Sequence, residues 1–203
     1  MPKETILIKR DRFVFFWGGF LSNWHPSQFE LDGTSYNCVE QWMMCEKARL
    51  FGDDDTLKLI LNSDDPAKQK KLGRKVSGFD PNVWAFAARN RVYWGLVEKF
   101  RQNSDLLEEL LETHGKFIVE ASPYDTIWGI GLAADHPDVT DPEKWKGKNW
   151  LGHLLMKVRK SLNYDKVNEE TRSILTREQF IGGFHVFEET VRRAEFEKFR
   201  SLI

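Results

Sequence analysis

The sequence has little cysteine, no long apolar run and no excess of either charge. Its two cysteines, Cys38 and Cys45, lie on one helical stretch, which suits reduced intracellular thiols rather than a disulfide pair. No secretory hydrophobic segment precedes residue 30, and no apolar run approaches the ~20 residues of a membrane span. A soluble cytoplasmic or nuclear protein, away from membranes, is therefore expected. Lysine and arginine number 30 against 31 acidic residues, so no overall positive field holds nucleic acid, and any such contact must be local. The five histidines, His25, His114, His136, His153 and His185, are scattered. Neither His-x-Glu with Pro-Cys-x-x-Cys nor His-Glu-x-x-His occurs, which sets aside zinc deaminases and zincins. A Gly-x-x-x-x-Gly-Lys-Ser/Thr phosphate loop, a Gly-x-Ser-x-Gly elbow, internal repeats and low-complexity tracts are absent too.

What the chain has in plenty is aromatic surface: eight tryptophans and fifteen phenylalanines in 203 residues. That length suits one domain with a sizeable core, some of whose indoles wall a site. The most informative stretch runs from Ser122 to Arg159. A strand-like run, Phe117 to Ala121, precedes it, so Asp125 and Trp128 fall on a turn punctuated by Pro123, Gly129 and Gly131. Further on, Leu151, Leu154, Leu155, Val158 and Leu162 recur on one helical face, with Asn149 placed as N-cap. Lys148 then sits at a helix start, where free N–H groups and the dipole favour an anion. On local grounds alone, Gly147-Lys148-Asn149 is equally a capped loop with no ligand.

Upstream, Thr5 to Lys9 and Phe13 to Trp17 read as strands, the second apolar throughout, as a fully buried strand would be. The loop Phe20 to Pro26 has the composition that wraps a planar polar ligand, although Ser22 and Asn23 can equally close their own turn. Asp32-Gly33 between Phe29–Leu31 and Thr34–Tyr36 signals a hairpin. A helix follows from Asn37 to Gly52. Asn37 with Glu40 reads there as a capping box. Glu40, Met44 and Lys47 share one face of it, so a carboxylate and an ammonium can enter one cleft. Lys47 is otherwise a solvated helix-end lysine.

Asp54 to Leu61 reads as a short helix, and Pro66 to Lys75 as a basic one, its charges usually a solvated face and less often a contact for phosphate. Asp80-Pro81 opens a long helix through Phe100, where Trp84 falls at core spacing with Ala87, Ala88 and Arg91. Ser104 caps a further helix that ends before Gly115. From Asn163 the composition turns charged; Thr176 with Gln179 reads as another capping box and His185 to Ile203 as a terminal helix.

What remains chemically is a set of carboxylates among tryptophans. Such a set suits cleavage of a glycosidic C–N bond, whose transition state is cation-like at the anomeric carbon. A carboxylate can stabilise that charge or deprotonate the attacking water, while an indole stacks on the departing base. Five motifs in order then resemble the NADAR superfamily, also called YbiA-like. They are Leu21-Ser22-Asn23; Glu40-Gln41-Trp42 with Lys47; Trp84; Asp125-Thr126-Ile127-Trp128-Gly129 with Gly131; and Gly147-Lys148-Asn149-Trp150-Leu151-Gly152. The likeness covers roughly Phe13 to Leu162.

The resemblance implies a compact α+β single domain over residues 1–162, mostly helical with a few short strands, and a C-terminal helical extension over 163–203 with no role to transfer. It implies a metal-independent N-glycosidase that needs no cofactor. Known members hydrolyse ribosylamine-phosphate intermediates of riboflavin synthesis, or remove ADP-ribose from the amino group of guanine in nucleic acid. By position, Glu40 and Asp125 become the catalytic carboxylates and Trp84 and Trp128 the aromatic walls. Lys148 and Asn149 become phosphate or ribose holders, and Ser22, Asn23, Gly129 and Gly131 complete the binding set. Lys47 is a third catalytic candidate, through a Schiff base with ring-opened ribose. The chain reads as a stand-alone domain without a cyclohydrolase or reductase segment. This favours ADP-ribosylated guanine in nucleic acid or nucleotide as substrate, with ADP-ribose as product, over the riboflavin intermediate. A non-catalytic ADP-ribose reader would keep Trp84, Trp128 and Lys148 while tolerating loss of the acids.

Overall fold

The computed structural model describes residues 6–10 and 12–167. The chain divides into two compact units, Met1–Leu162 and Asn163–Ile203. In the first, β2 (Phe13–Trp17) is apolar because both of its faces are covered. It is the middle strand of a three-stranded sheet, antiparallel to β1 (Ile6–Lys9) and parallel to β5 (Phe117–Glu120). Val14 and Phe16 enter the main core, whereas Phe13 and Phe15 enter a smaller one with Val119, Ala121, Ile130 and Val139. β3 (Phe29–Leu31) and β4 (Thr34–Tyr36) form the expected hairpin, with Asp32 and Gly33 both at left-handed φ, +54° and +71°.

The main core is built around α1 (Val39–Leu50), which packs on α2 (Asp54–Leu61), α3 (Pro66–Gly73) and α4 (Pro81–Gln102). Asp53, Asp65 and Asp80 accept backbone N–H bonds at the starts of α2, α3 and α4, and proline stands at N1 of the last two. Helix α1 is buried almost all round, and its buried residues include Glu40, Gln41 and Lys47. Gly95 lets α4 approach, since a Cβ there would enter the Trp42 indole. The Trp42 N–H donates to Arg91 O at 2.7 Å. Helices α5 (Ser104–Glu112) and α6 (Trp150–Val167) complete the domain, and Leu151, Leu154, Leu155, Val158 and Leu162 are all buried. The architecture is therefore α+β and mostly helical.

Three caps differ from the sequence expectation. At α1 the N-cap is Cys38, and no side chain caps the helix. Gln41, not Glu40, reaches back to the Asn37 N–H at 2.8 Å, which leaves the Glu40 carboxyl to point elsewhere. At α5 the N-cap is Asn103, whose amide donates to Gln28 O and Lys99 O, and Ser104 is already helical. Asn149 is in the left-handed region at φ +49° and spends its side chain on β5 rather than on α6. The capping box at Thr176 and the helix from His185 fall outside the described residues. Both cysteines are buried and free. Among the described residues no helix is long and apolar enough to cross a membrane.

Candidate active site

Glu40 stands in the first turn of α1, 2% exposed. Its N–H donates to Asn23 O at 2.8 Å, which ties the helix start to the preceding loop. The Trp24 side chain hydrogen-bonds the Glu40 carboxyl, yet Oε1 has no hydrogen-bond partner. Burial lifts the carboxyl from an ordinary 4.5 to about 7. The Lys70 charge and the Trp24 bond oppose the rise, the Asp125 charge adds to it, and Arg74 opposes it weakly. Lys47, two turns further along α1, is 8% exposed. Burial and then the Arg74 charge pull its pKa below the usual lysine range. Its ammonium lies 3.7 Å from the Phe79 ring centroid and 6.0 Å from that of Trp84.

Glu40, Met44 and Lys47 do face one chamber, of roughly 330 Å³. Ser22, Asn23, Trp84, Asp125 and Trp128 line it as well. Trp84, whose spacing also fits a core residue, is half-buried and forms a wall. The chamber shares Ser22, Trp24, Lys70, Arg74, Glu120, Tyr124 and Asp125 with a larger one of roughly 960 Å³, so the two form one cleft with the cations Lys70 and Arg74 and the acids Glu120 and Asp125 at its waist.

The far wall is the turn after β5. Asp125 Oδ1 accepts the N–H groups of Ile127 and Trp128 at 2.9 and 2.7 Å, so Asp125 fixes its own turn and presents the rest of its carboxylate to the chamber. Gly131 holds φ +70° and donates to Asp125 O, and a Cβ at Gly129 would crowd Glu120 O and Asp125 O. The two glycines thus shape the turn; neither lines either chamber. Trp128 meets Trp150 edge-on, centroids 5.7 Å apart, and Arg89 and Lys148 lie 4.9 and 5.1 Å from the Trp150 ring centroid.

The helix start is not the open anion site that Gly147-Lys148-Asn149 suggests. The N–H groups of Lys148, Asn149, Trp150 and Leu151 donate to the carbonyls of Thr126, Gly129, Ile127 and Trp128. Asn149 is 1% exposed; its Oδ1 accepts from Glu120 N and its Nδ2 donates to Ile118 O, both at 3.0 Å. Asn149 is thus a clasp between β5 and α6, and Lys148 is an exposed cation against Trp150. Neither lines the two chambers.

On the opposite side, Ser22 Oγ accepts the Trp24 N–H at 3.1 Å and so closes its own turn while still lining the chamber. Asn23 is 5% exposed and its Oδ1 has no hydrogen-bond partner. Lys99, wholly buried, donates from Nζ to Phe20 O at 2.6 Å and to Ser22 O at 2.9 Å, and burial pulls its pKa down to about 7. Residues that sequence reasoning left out of the site are Lys70, Arg74, Trp24 and Glu120. The first two lie one turn apart on the basic stretch read as solvated, and that spacing was the available signal.

A mostly helical α+β domain whose chamber holds a buried acid and a buried lysine and is walled by Trp84 and Trp128 defines the class. The NADAR domain model matches residues 15–163, and the chain belongs to that family. It is 43% identical over 165 residues to N-glycosidase R617 of Acanthamoeba polyphaga mimivirus, covering 75% of this chain and 97% of that one. It is 38% identical to Protein irg-1 of Caenorhabditis elegans, covering 77% and 84%. It is 31% identical over 145 residues to Riboflavin biosynthesis protein VVA0006 of Vibrio vulnificus, spanning 71% of this chain but 35% of that protein. The NMR structure of the Escherichia coli protein YbiA superposes with a TM-score of 0.65 at 26% identity, covering 79% of this chain and 90% of that one.

Proposed function

We propose that the protein is an N-glycosidase that cleaves the C1–N bond joining ADP-ribose to the guanine amino group. The observation that carries this reading is the cleft itself. Its inner chamber pairs Glu40 with Asp125 and Lys47, and it opens past Lys70 and Arg74 into a larger chamber lined by Trp17, Trp24 and Tyr124. A ribose at the acids would place its diphosphate beside those cations and leave aromatic surface for adenine. Several relatives named N-glycosidase support the reaction type.

In this mechanism the two carboxyls divide the work as their surroundings dictate. Glu40, raised to about 7, keeps its proton in about half of the molecules at neutral pH and donates it to the departing amino nitrogen. Asp125 faces the cationic sugar and takes the proton of the attacking water. Trp84 and Trp128 exclude solvent and stack on planar groups. Lys47 opens a second route, favoured by the pKa that burial and the Arg74 charge lower. Its neutral amine attacks C1 as the sugar ring opens, guanine leaves with the Glu40 proton, and water hydrolyses the resulting imine.

The test is mass spectrometry of the purified protein with an oligonucleotide carrying ADP-ribose on guanine, beside the ribosylamino-pyrimidine phosphate. Release of ADP-ribose from the oligonucleotide is expected, unaffected by a chelator. Cleavage of the pyrimidine compound alone would transfer the protein to the riboflavin branch, which the Vibrio relative favours by name. ADP-ribose binding without cleavage of either would make it a reader. Borohydride added during turnover separates the two routes: a stable adduct on Lys47 supports the imine, and its absence leaves direct hydrolysis.

A further inference from the structure

Lys99 lines neither chamber, yet it is wholly buried in the middle of a domain whose other largest buried side chains are apolar or aromatic. A methionine would fill the same space without the cost of removing an amine from water, so packing alone does not account for a lysine there. What the amine does is specific. It spans two carbonyls of one short loop, Phe20 O at 2.6 Å and Ser22 O at 2.9 Å. The next carbonyl along, Asn23 O, accepts the Glu40 N–H at 2.8 Å. The same loop supplies Ser22 and Asn23 to the chamber, and Trp24 to the Glu40 carboxyl.

The base from which Lys99 reaches is itself fixed. Three residues on, Gln102 exchanges two bonds with the Glu30 backbone, at 2.8 Å each, and Asn103 donates to Gln28 O at 3.0 Å. Together these tie the end of α4 to β3. A rigid helix therefore holds the loop by its carbonyls, and the loop holds Glu40.

We infer that Lys99 is a positioning residue: by bonding the carbonyls of Phe20 and Ser22 it sets where the Glu40 carboxyl stands relative to the substrate. This rests on the reading of Glu40 as the acid that protonates the leaving group. Displacements of about 1 Å at such a group cost on the order of a hundredfold in rate, while ground-state binding through Trp84, Trp128 and the cations is left alone.

The experiment compares wild type with Lys99→Met, which keeps the length and removes the donors. Turnover on the ADP-ribosylated oligonucleotide is measured beside hydrogen exchange at single amides. The expected result is a fall in kcat of about 10- to 100-fold with KM changed less than about threefold. The Glu40 amide should exchange at least about tenfold faster, while the Leu96 and Phe100 amides of α4 keep their protection. Unchanged kcat, unchanged exchange at Glu40, or equal acceleration at all three amides would each overturn the inference. If Lys99→Met does not fold, Lys99→Gln, which keeps an N–H donor, is measured in the same way. Failure of both to fold would make Lys99 a residue of overall stability and would also overturn it. The exchange arm needs no substrate, so inactivity of the wild type would count against the proposed function and leave exchange to decide the role of Lys99.

Discussion

A carboxyl group 2% exposed costs stability, once it ionises, that a neutral glutamine would not. The sign follows from its pKa, raised from 4.5 to about 7. The native state holds a proton that the unfolded chain has lost, so stability is highest below 4.5, declines up to about 7 and is flat above. Glu40→Gln should therefore raise stability at pH 8 by up to about 3 kcal/mol, with the gain vanishing near pH 4, as read by urea unfolding. The same change should lower turnover at least about a hundredfold, because the leaving nitrogen then has no proton donor. In the wild type, kcat/KM should fall as pH rises through about 7. Asp125→Asn tests the partner acid cleanly, since its Oδ1 can still accept from Ile127 and Trp128. Its turn should survive within about 1 kcal/mol while activity drops and the Glu40 pKa, freed from one negative neighbour, moves down. Both acids were legible in the sequence through their motifs. Asn149 was not, because Gly-Lys-Asn reads the same whether its amide faces a ligand or a strand. Lys99 gave no signal at all: it is the single lysine of a long helix, near its charged C-terminal end, where a solvated lysine is commonplace.

At the scale of elements, turn, cap and periodicity signals located the hairpin and α1 to α6, and periodicity placed the leucines of α6 on the buried face. It could not show that α1 is covered nearly all round: Gln41 is buried by its bonds to the carbonyls of Ile60, Leu61 and Ser63 at the end of α2, and Glu40 and Lys47 by the walls of the chamber. Nor could it show that the start of α6 is locked to that turn, because the bonds link residues far apart in sequence. Gly152 sits at the tightest point of this junction: a Cβ there would enter Ile118 O and the Asn149 side chain. Gly152→Ala should cost about 1–3 kcal/mol by overpacking, measured by urea unfolding. It should also lower kcat, since the Asn149 clasp it displaces holds both β5 and the turn that presents Asp125. Full activity in that variant would mean that the clasp and the turn move independently.

For the molecule as a whole, β2 and β5 are neighbours although β3, β4 and α1 to α5 lie between them in sequence. The two walls of the cleft ride on the ends of these strands, one reached through residues 18–47 and the other through 121–128. Helices can form early from local contacts, whereas this pairing must bring together segments about a hundred residues apart, at a loop-closure cost that slows it. The site is thus expected to form after the helices. On dilution from denaturant, far-UV ellipticity should recover first, and fluorescence of the tryptophans at the cleft, together with turnover, in a later phase. A chain still emerging during synthesis should already be helical, and catalytically silent, until the residues after Glu120 have left the ribosome.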